Sequence, residues 1–484
     1  EKYEKVNIEV AEDFQLVRES FLNVKDNIAS YNIAPDAKRA VFSARGDVFT
    51  VPAEKGNIRN LTKTPGAHDR NATWSPDGKW IAFVSDKSGE DEIWLIKPDG
   101  SDLTQLTKNS KNYKWEILWS PDSKKILCSD KTMSLYYIDI DSKKTTEIVK
   151  SKAWEIRDYS WSPDSKWVAY SDGLLNGNSA IFIYSLDSKK IEQVTDDYFT
   201  SVNPRFSDCG IYLFFVSNRT FNPTINTIEW NFSFNNMFKI YGITLQDTVQ
   251  SPFAFESDET AAKTDDEAAK EKSKSDKPKD DKAKTTDISI DFKNIVSRIF
   301  ELPVKAGNYW NLTTTKSPKI YYVRNVDGQK PTFCSFDFSS KKENEVGDIT
   351  GFEISADGKK ILFRSGKDYF ITDLGDKVKA DKGKLDLSTM DVELDRKAEW
   401  KQIYDESWRQ MRDFFYDPDM HKVDWKGMYD KYVQLVPYVV HRSDLTYILS
   451  EMVSELNIGH AYVGGGEVPE VDKVPIGLLG ATFE

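Results

Sequence analysis

Cysteine is scarce in this chain: Cys128, Cys209 and Cys334 are odd in number and far apart, which leaves no disulfide framework and no zinc knuckle to build. No run of about twenty apolar residues occurs, so no membrane-spanning helix is written here. The opening Glu1-Lys2-Tyr3-Glu4-Lys5 lacks the basic and apolar segments of a secretory signal. That favours the cytoplasm, while a processed N-terminus, since the chain does not begin with Met, would fit an exported or periplasmic protein. Positive charge is in deficit, with 66 Lys and Arg against 78 Asp and Glu and a net charge of −12. Such a surface repels phosphate backbones and anionic bilayers, which argues against nucleic-acid and membrane partners. Only four histidines occur, and none forms a metal-ligand pair such as His-Glu-x-x-His. Gly-x-Ser-x-Gly, Gly-x-Gly-x-x-Gly and the P-loop are missing as well, so no α/β-hydrolase nucleophile, no cofactor and no metal are expected.

Aromatic residues are plentiful, with 27 Phe, 22 Tyr and 13 Trp in 484 residues, enough for a large folded interior. Their distribution is periodic. Trp74-Ser75-Pro76-Asp77-Gly78-Lys79 recurs as Trp119-Ser120-Pro121-Asp122-Ser123-Lys124 and Trp161-Ser162-Pro163-Asp164-Ser165-Lys166, with weaker copies at Ile33-Ala34-Pro35-Asp36, Phe206-Ser207-Asp208-Cys209-Gly210 and Ile354-Ser355-Ala356-Asp357-Gly358. Asp36, Asp77, Asp122 and Asp164 lie 41, 45 and 42 residues apart, a period that suits a four-stranded blade. In each copy Pro fixes φ, Asp binds its own backbone and Gly accepts positive φ. The repeated aspartates therefore read as turn formers and not as calcium ligands. Short alternating strands follow, such as Trp80-Ile81-Ala82-Phe83-Val84 and Lys360-Ile361-Leu362-Phe363. One blade cannot bury both faces but a closed ring can. The expectation is a mainly β protein with a propeller of about seven blades over 1–388. It is interrupted by a charged, disordered insertion at 256–287 that holds eleven acidic and eight basic residues.

From about Leu394 the period changes to helical. Trp400, Ile403, Tyr404, Trp408, Met411 and Phe415 fall on one face, and Pro418 stops the helix. Trp425 to Val433 forms a second helix, and a third runs from an N-cap at Ser443 to Leu456. A short strand, His460-Ala461-Tyr462-Val463, is expected next. The segment 389–466 thus forms a small helical α+β subdomain, and 467–484 a linker and the truncated start of a further domain. His460, between a helix stop and a strand, is the candidate general base. His68, His421 and His441 read as solvated turn residues.

Ser-Pro-Asp-Gly blades, then Phe414-Phe415-Tyr416-Asp417 and Val423-Asp424-Trp425, then Glu451-Met452-Val453-Ser454-Glu455-Leu456 leading into Gly459-His460, resemble the second half of a tricorn protease. The resemblance covers almost the whole chain. It implies a serine-type peptidase, related to the C-terminal processing peptidases, that degrades oligopeptides, with the propeller gating substrate access. The family's catalytic histidine falls on His460, and Gly459 stands where the family usually has serine. A PDZ domain and the nucleophilic serine belong to a later part that these residues lack, so this chain alone is expected to be inactive. Peptides are the implied partners, and assembly into hexamers is implied for the full-length protein. The competing expectation is a binding-only propeller that takes a protein or glycan on its rim. A prolyl-oligopeptidase type is disfavoured, because a helical segment follows the blades.

Overall fold

The computed structural model describes residues 14–254 and 287–467. All of the expected insertion except Asp287, and all of the expected terminal segment except Glu467, lie outside the described residues. The chain divides into two units, one formed by Asn23–Thr62 and Asp69–Met390, the other by Glu1–Leu22, Lys63–His68 and Asp391–Glu484.

The larger unit is a seven-bladed β-propeller. Its innermost strands are Ile28–Ile33, Arg70–Trp74, Lys114–Trp119, Tyr159–Trp161, Ser201–Phe206, Asn308–Thr314 and Phe352–Ile354, each the first strand of an antiparallel sheet. The expected alternation does not describe the middle strands: Ile81–Ser85 is buried throughout. Ile81 and Phe83 pack with Val41 and Val48 of the preceding blade, whereas Ala82 and Val84 pack with Trp119, Ile126 and Ile138 of the following one. Period-two packing is present, but both faces are covered, so the apolar run is continuous. Blade 1 meets blade 7 through side chains. Asn32 Nδ2 donates to Glu353 Oε2 at 3.3 Å, and the Tyr369 ring packs edge-on against Tyr31 and Phe42.

The repeated turn is a hydrogen-bonded unit. Ser75 Oγ donates to Asp77 Oδ1 at 2.7 Å and accepts from Trp80 N at 3.0 Å, while Asp77 Oδ1 also accepts from Lys79 N at 3.1 Å. The pattern recurs at Ser120, Ser162 and Ser355. Gly78 sits at φ 73°, but Ser123 and Ser165 hold the same position at 59° and 60°, a region that costs a residue with a Cβ. The serines are not idle there. Ser123 Oγ accepts from Asp77 N at 3.0 Å and Ser165 Oγ from Asp122 N at 3.1 Å, so each ties its blade to the one before. Trp119 and Trp161 repeat the link, donating Nε1–H to Thr73 O and Leu118 O. Ser120 is fully buried and serves two of these bonds, one as donor and one as acceptor. Ser120→Ala should therefore cost about 1–3 kcal/mol, the range for buried groups left unpaired, read as a lower urea midpoint.

Blade 5 carries two additions. A hairpin, Pro223–Ile225 paired with Phe232–Phe234, lies between its second and third strands and has no counterpart in the repeat pattern. The segment holding the expected insertion lies between its third strand, Lys239–Thr244, and its outermost, Ile299–Glu301. Asp287 is anchored by Lys166 at 2.9 Å, and Ile288 N donates to Asp164 Oδ2 at 2.8 Å.

The smaller unit contains helices α1 (Arg396–Phe414), α2 (Trp425–Val433) and α3 (Arg442–Ser454). Trp400, Tyr404, Trp425, Tyr432, Leu445, Ile448, Leu449 and Met452 form its core, with Ile403, Trp408, Met411 and Phe415 packed alongside. Trp408 and Trp425 lock α1 to α2 reciprocally, each indole N–H donating to the other residue's carbonyl at 2.8 and 3.1 Å. The cap of α3 differs from the expected Ser443. It is His441, whose Nδ1 accepts from Ser443 N while Asp444 accepts from His441 N, a capping box.

Candidate active site

The candidate base lies just past α3. The helix ends at Ser454, fully buried Leu456 pins the chain to the core, and Asn457 turns it at φ 52°. Gly459 and His460 form the exposed turn that follows. The expected strand at 460–463 does not form: residues 461–467 are irregular, and no segment among the described residues offers them a ladder partner. Glu467 is held by Arg396 at the start of α1, Oε2 to Nη1 at 3.2 Å.

Tyr462 is the residue that touches His460, and nothing in the repeat or helix patterns singles it out. Its hydroxyl donates to Gly459 O at 3.3 Å and lies 3.4 Å from His460 Nδ1. Both contacts are satisfied together when Nδ1 carries the proton, because the hydroxyl oxygen then accepts from Nδ1–H. That tautomer leaves the Nε2 lone pair facing solvent, the state a general base needs. Among the described residues, no serine, cysteine or carboxylate hydrogen-bonds to His460.

The other histidines are partly exposed, as turn residues are, but each also has a specific partner. His421, at φ 52°, places Nδ1 2.8 Å from Leu456 O and its Nε2 against the Tyr416 hydroxyl. An Nδ1–H donor there ties the α1–α2 turn to the last residue before the His460 loop, so His421 positions that loop. His441 caps α3, as described above. His68 pairs with Glu406 at 3.0 Å, and Gln402 Nε2 donates to the same carboxylate. Each role depends on a partner distant in sequence or on backbone geometry.

The cysteines offer no alternative nucleophile. Burial pushes the Cys128 thiol up to about 11 and that of Cys334 to about 12, so neither is a thiolate at neutral pH. Cys209 is exposed, but its Sγ serves the blade 5 turn by donating to Ser207 Oγ. A side chain at Gly459 would meet no atom within 4 Å. Gly459→Ser should therefore shift stability by no more than about 0.5 kcal/mol, measured by thermal unfolding.

The fold defines a class: a seven-bladed propeller followed by a small helical unit that presents a histidine. The chain belongs to the tricorn protease family. The tricorn protease second beta propeller domain matches residues 28–375, and the tricorn protease C1 domain matches 396–454. A tricorn protease homolog of Saccharolobus solfataricus is 25% identical over 99% of this chain and 43% of its own length. Tricorn protease homolog 1 of Streptomyces coelicolor is 25% identical over 93% of this chain and 44% of its own. A protein of Sulfurisphaera tokodaii, named as a tricorn-like protease C-terminal subunit, is 26% identical over 99% of this chain and 54% of its own. The chain thus spans about half the length of the curated relatives it matches. A crystal structure of the tricorn protease superposes with a TM-score of 0.77 at 19% identity, covering 95% of this chain and 43% of that one, and supports the fold.

Proposed function

We propose that this chain is the propeller and first catalytic portion of a tricorn-like serine peptidase acting on oligopeptides, with His460 as general base toward a serine outside these 484 residues. Nε2 of His460 takes the hydroxyl proton as the serine oxygen bonds to the peptide carbonyl carbon. It returns that proton to the amine nitrogen as the C–N bond breaks. The observation that carries this reading is the exposed His460, on a turn pinned by Leu456 and His421, with Tyr462 engaging Nδ1. In the same reading the propeller restricts access to short or extended chains, a PDZ domain and a serine-bearing subdomain complete the site, and full-length copies assemble as hexamers. The 484-residue chain alone should show no hydrolysis of fluorogenic oligopeptides above background. Turnover by this chain that disappears in His460→Ala would contradict the missing nucleophile.

A second reading, a propeller that binds a partner on its rim, is favoured by one observation. Trp154, Leu175, Tyr198, Phe221, Ile228 and Trp230 are each at least 71% exposed. All lie in loops that precede inner strands or join second to third strands, which antiparallel order places at one end of the ring. Apolar exposure on that scale marks contact surfaces. A full-length protein without any peptidase activity would turn the account toward this reading.

A further inference from the structure

The seven inner strands surround a cavity of about 590 Å³ at the propeller axis. That volume suits a small ligand or one extended strand with a few side chains, not a folded domain. Its wall is polar, with Asn32, Thr73, Ser160 and Asn311 on different blades, and it carries charge on blades 3, 5 and 7 as Glu116, Arg205 and Glu353. We propose that this channel binds extended peptides through their amine or guanidinium groups, with Glu116 and Glu353 as the recognising carboxylates. The proposal rests on the reading that peptides are the substrates and adds the charge that the channel selects.

The sign of the ligand follows from how the charged groups are engaged. Arg205 is the single cation among the residues lining the cavity. Its guanidinium reaches backbone through two of its nitrogens, Nη1 donating to Tyr159 O at 2.7 Å and Nε to Leu312 O at 3.1 Å. It spans blades 4 to 6 as a strut, and the lining sets three carboxylates, Glu116, Asp208 and Glu353, against this one cation. The Glu116 carboxylate makes no hydrogen bond or ion pair among the described residues. Among the described residues Glu353 accepts from Asn32 Nδ2 alone, whose Oδ1 is already committed to Trp74 N at 3.1 Å. Asp208, nearer one end of the cavity, takes a bond from Thr314 Oγ1. Carboxylate oxygens with few protein donors, gathered in one cavity, gain from a cation that brings N–H groups.

Glu353 also makes the binding pH-dependent. Burial within the ring holds its carboxyl up at about 7; Arg205 opposes the rise, Glu116 adds to it and the Asn32 hydrogen bond opposes it. The other titratable group beside it is Tyr31 on blade 1, kept protonated mainly by burial and then by Glu353. A cationic ligand favours the ionised carboxylate. Affinity should therefore rise as pH passes upward through about 7 and fall below it.

The test uses the 484-residue chain and fluorescein-labelled, acetylated Ala-Lys-Ala-Lys-Ala, titrated by fluorescence anisotropy at low salt against the matching peptide with glutamate in place of lysine. The lysine peptide should bind, and the glutamate peptide should bind at least about tenfold more weakly. Glu116→Gln and Glu353→Gln, which keep the side-chain shape, should each weaken the lysine peptide about tenfold, the size of one lost charged hydrogen bond. Thr73→Lys adds a cation to the wall without removing any of these groups and should weaken it as well. Equal binding of both peptides, no binding of either, or lysine-peptide binding unchanged in both glutamine variants and in Thr73→Lys overturns the proposal. None of these outcomes touches His460, whose role is read by hydrolysis in the full-length protein, so the two readings fail separately.

Discussion

His460→Ala in the full-length protein lowers kcat for oligopeptide hydrolysis by about a thousandfold, within the range that a positioned general base supplies. KM changes little, because the side chain is assigned to proton transfer and not to peptide binding. Loss of fold is not the cause expected here, since His460 is exposed and its hydrogen-bond and ring partner among the described residues is Tyr462. Tyr462→Phe gives an intermediate loss, as it removes the oxygen that accepts from Nδ1–H while leaving the ring that lies 6.4 Å from the imidazole. Steady-state kinetics on the three proteins separate these effects, and a His460→Ala enzyme with parental kcat would remove the histidine from the mechanism.

Asp91→Ala destabilises the propeller by about 3–5 kcal/mol, the cost of stranding a buried charge by removing its partner. Arg70 and Asp91 are both buried and lie 2.6 Å apart, Nη2 to Oδ2. The same guanidinium donates to Lys114 O at 3.0 Å, and Asp91 Oδ2 accepts from Lys114 N at 3.0 Å, so the pair stitches blade 2 to the inner strand of blade 3. The Tyr113 ring covers the guanidinium at 4.3 Å. Burial pushes Arg70 toward losing its proton, but Asp91 and Tyr113 more than offset that and hold it charged. Removing Asp91 leaves the desolvated cation with Lys114 O and the Tyr113 hydroxyl but no counter-charge in contact. Equilibrium urea unfolding measures the loss, and a change below about 1 kcal/mol would show that blade 2 relaxes enough to hydrate Arg70.

The ring was legible because its determinants are local. A Ser-Pro-Asp-Gly turn satisfies its own backbone within six residues, so it leaves a recurring mark along the chain, and the helical period from Trp400 to Phe415 reports a core face directly. Features that rest on distant partners left no such mark. Ser123 and Ser165 look like degenerate glycines until the preceding blade is seen to donate to them. His421 looks like a turn residue until Leu456 O, 35 residues away, is found against its ring. Ser443 is a good cap by residue type, whereas Asp444 at the third helical position completes a capping box with His441. The expected strand after His460 failed for a related reason, since a strand needs a partner that local alternation cannot supply. His460 stands out in the sequence by its place after a helix stop, and the resemblance strengthens that reading, whereas the Tyr462 contact at its Nδ1 is visible only in the folded chain.

The central claim is that His460 serves a serine lying outside these 484 residues. Labelling the native full-length gene product with a fluorophosphonate, followed by peptide mass mapping, tests it most directly. The account predicts one labelled serine that is not among the residues described here, with labelling strongly slowed in the His460→Ala protein. A label on a serine within these residues, or labelling indifferent to His460→Ala, would contradict it.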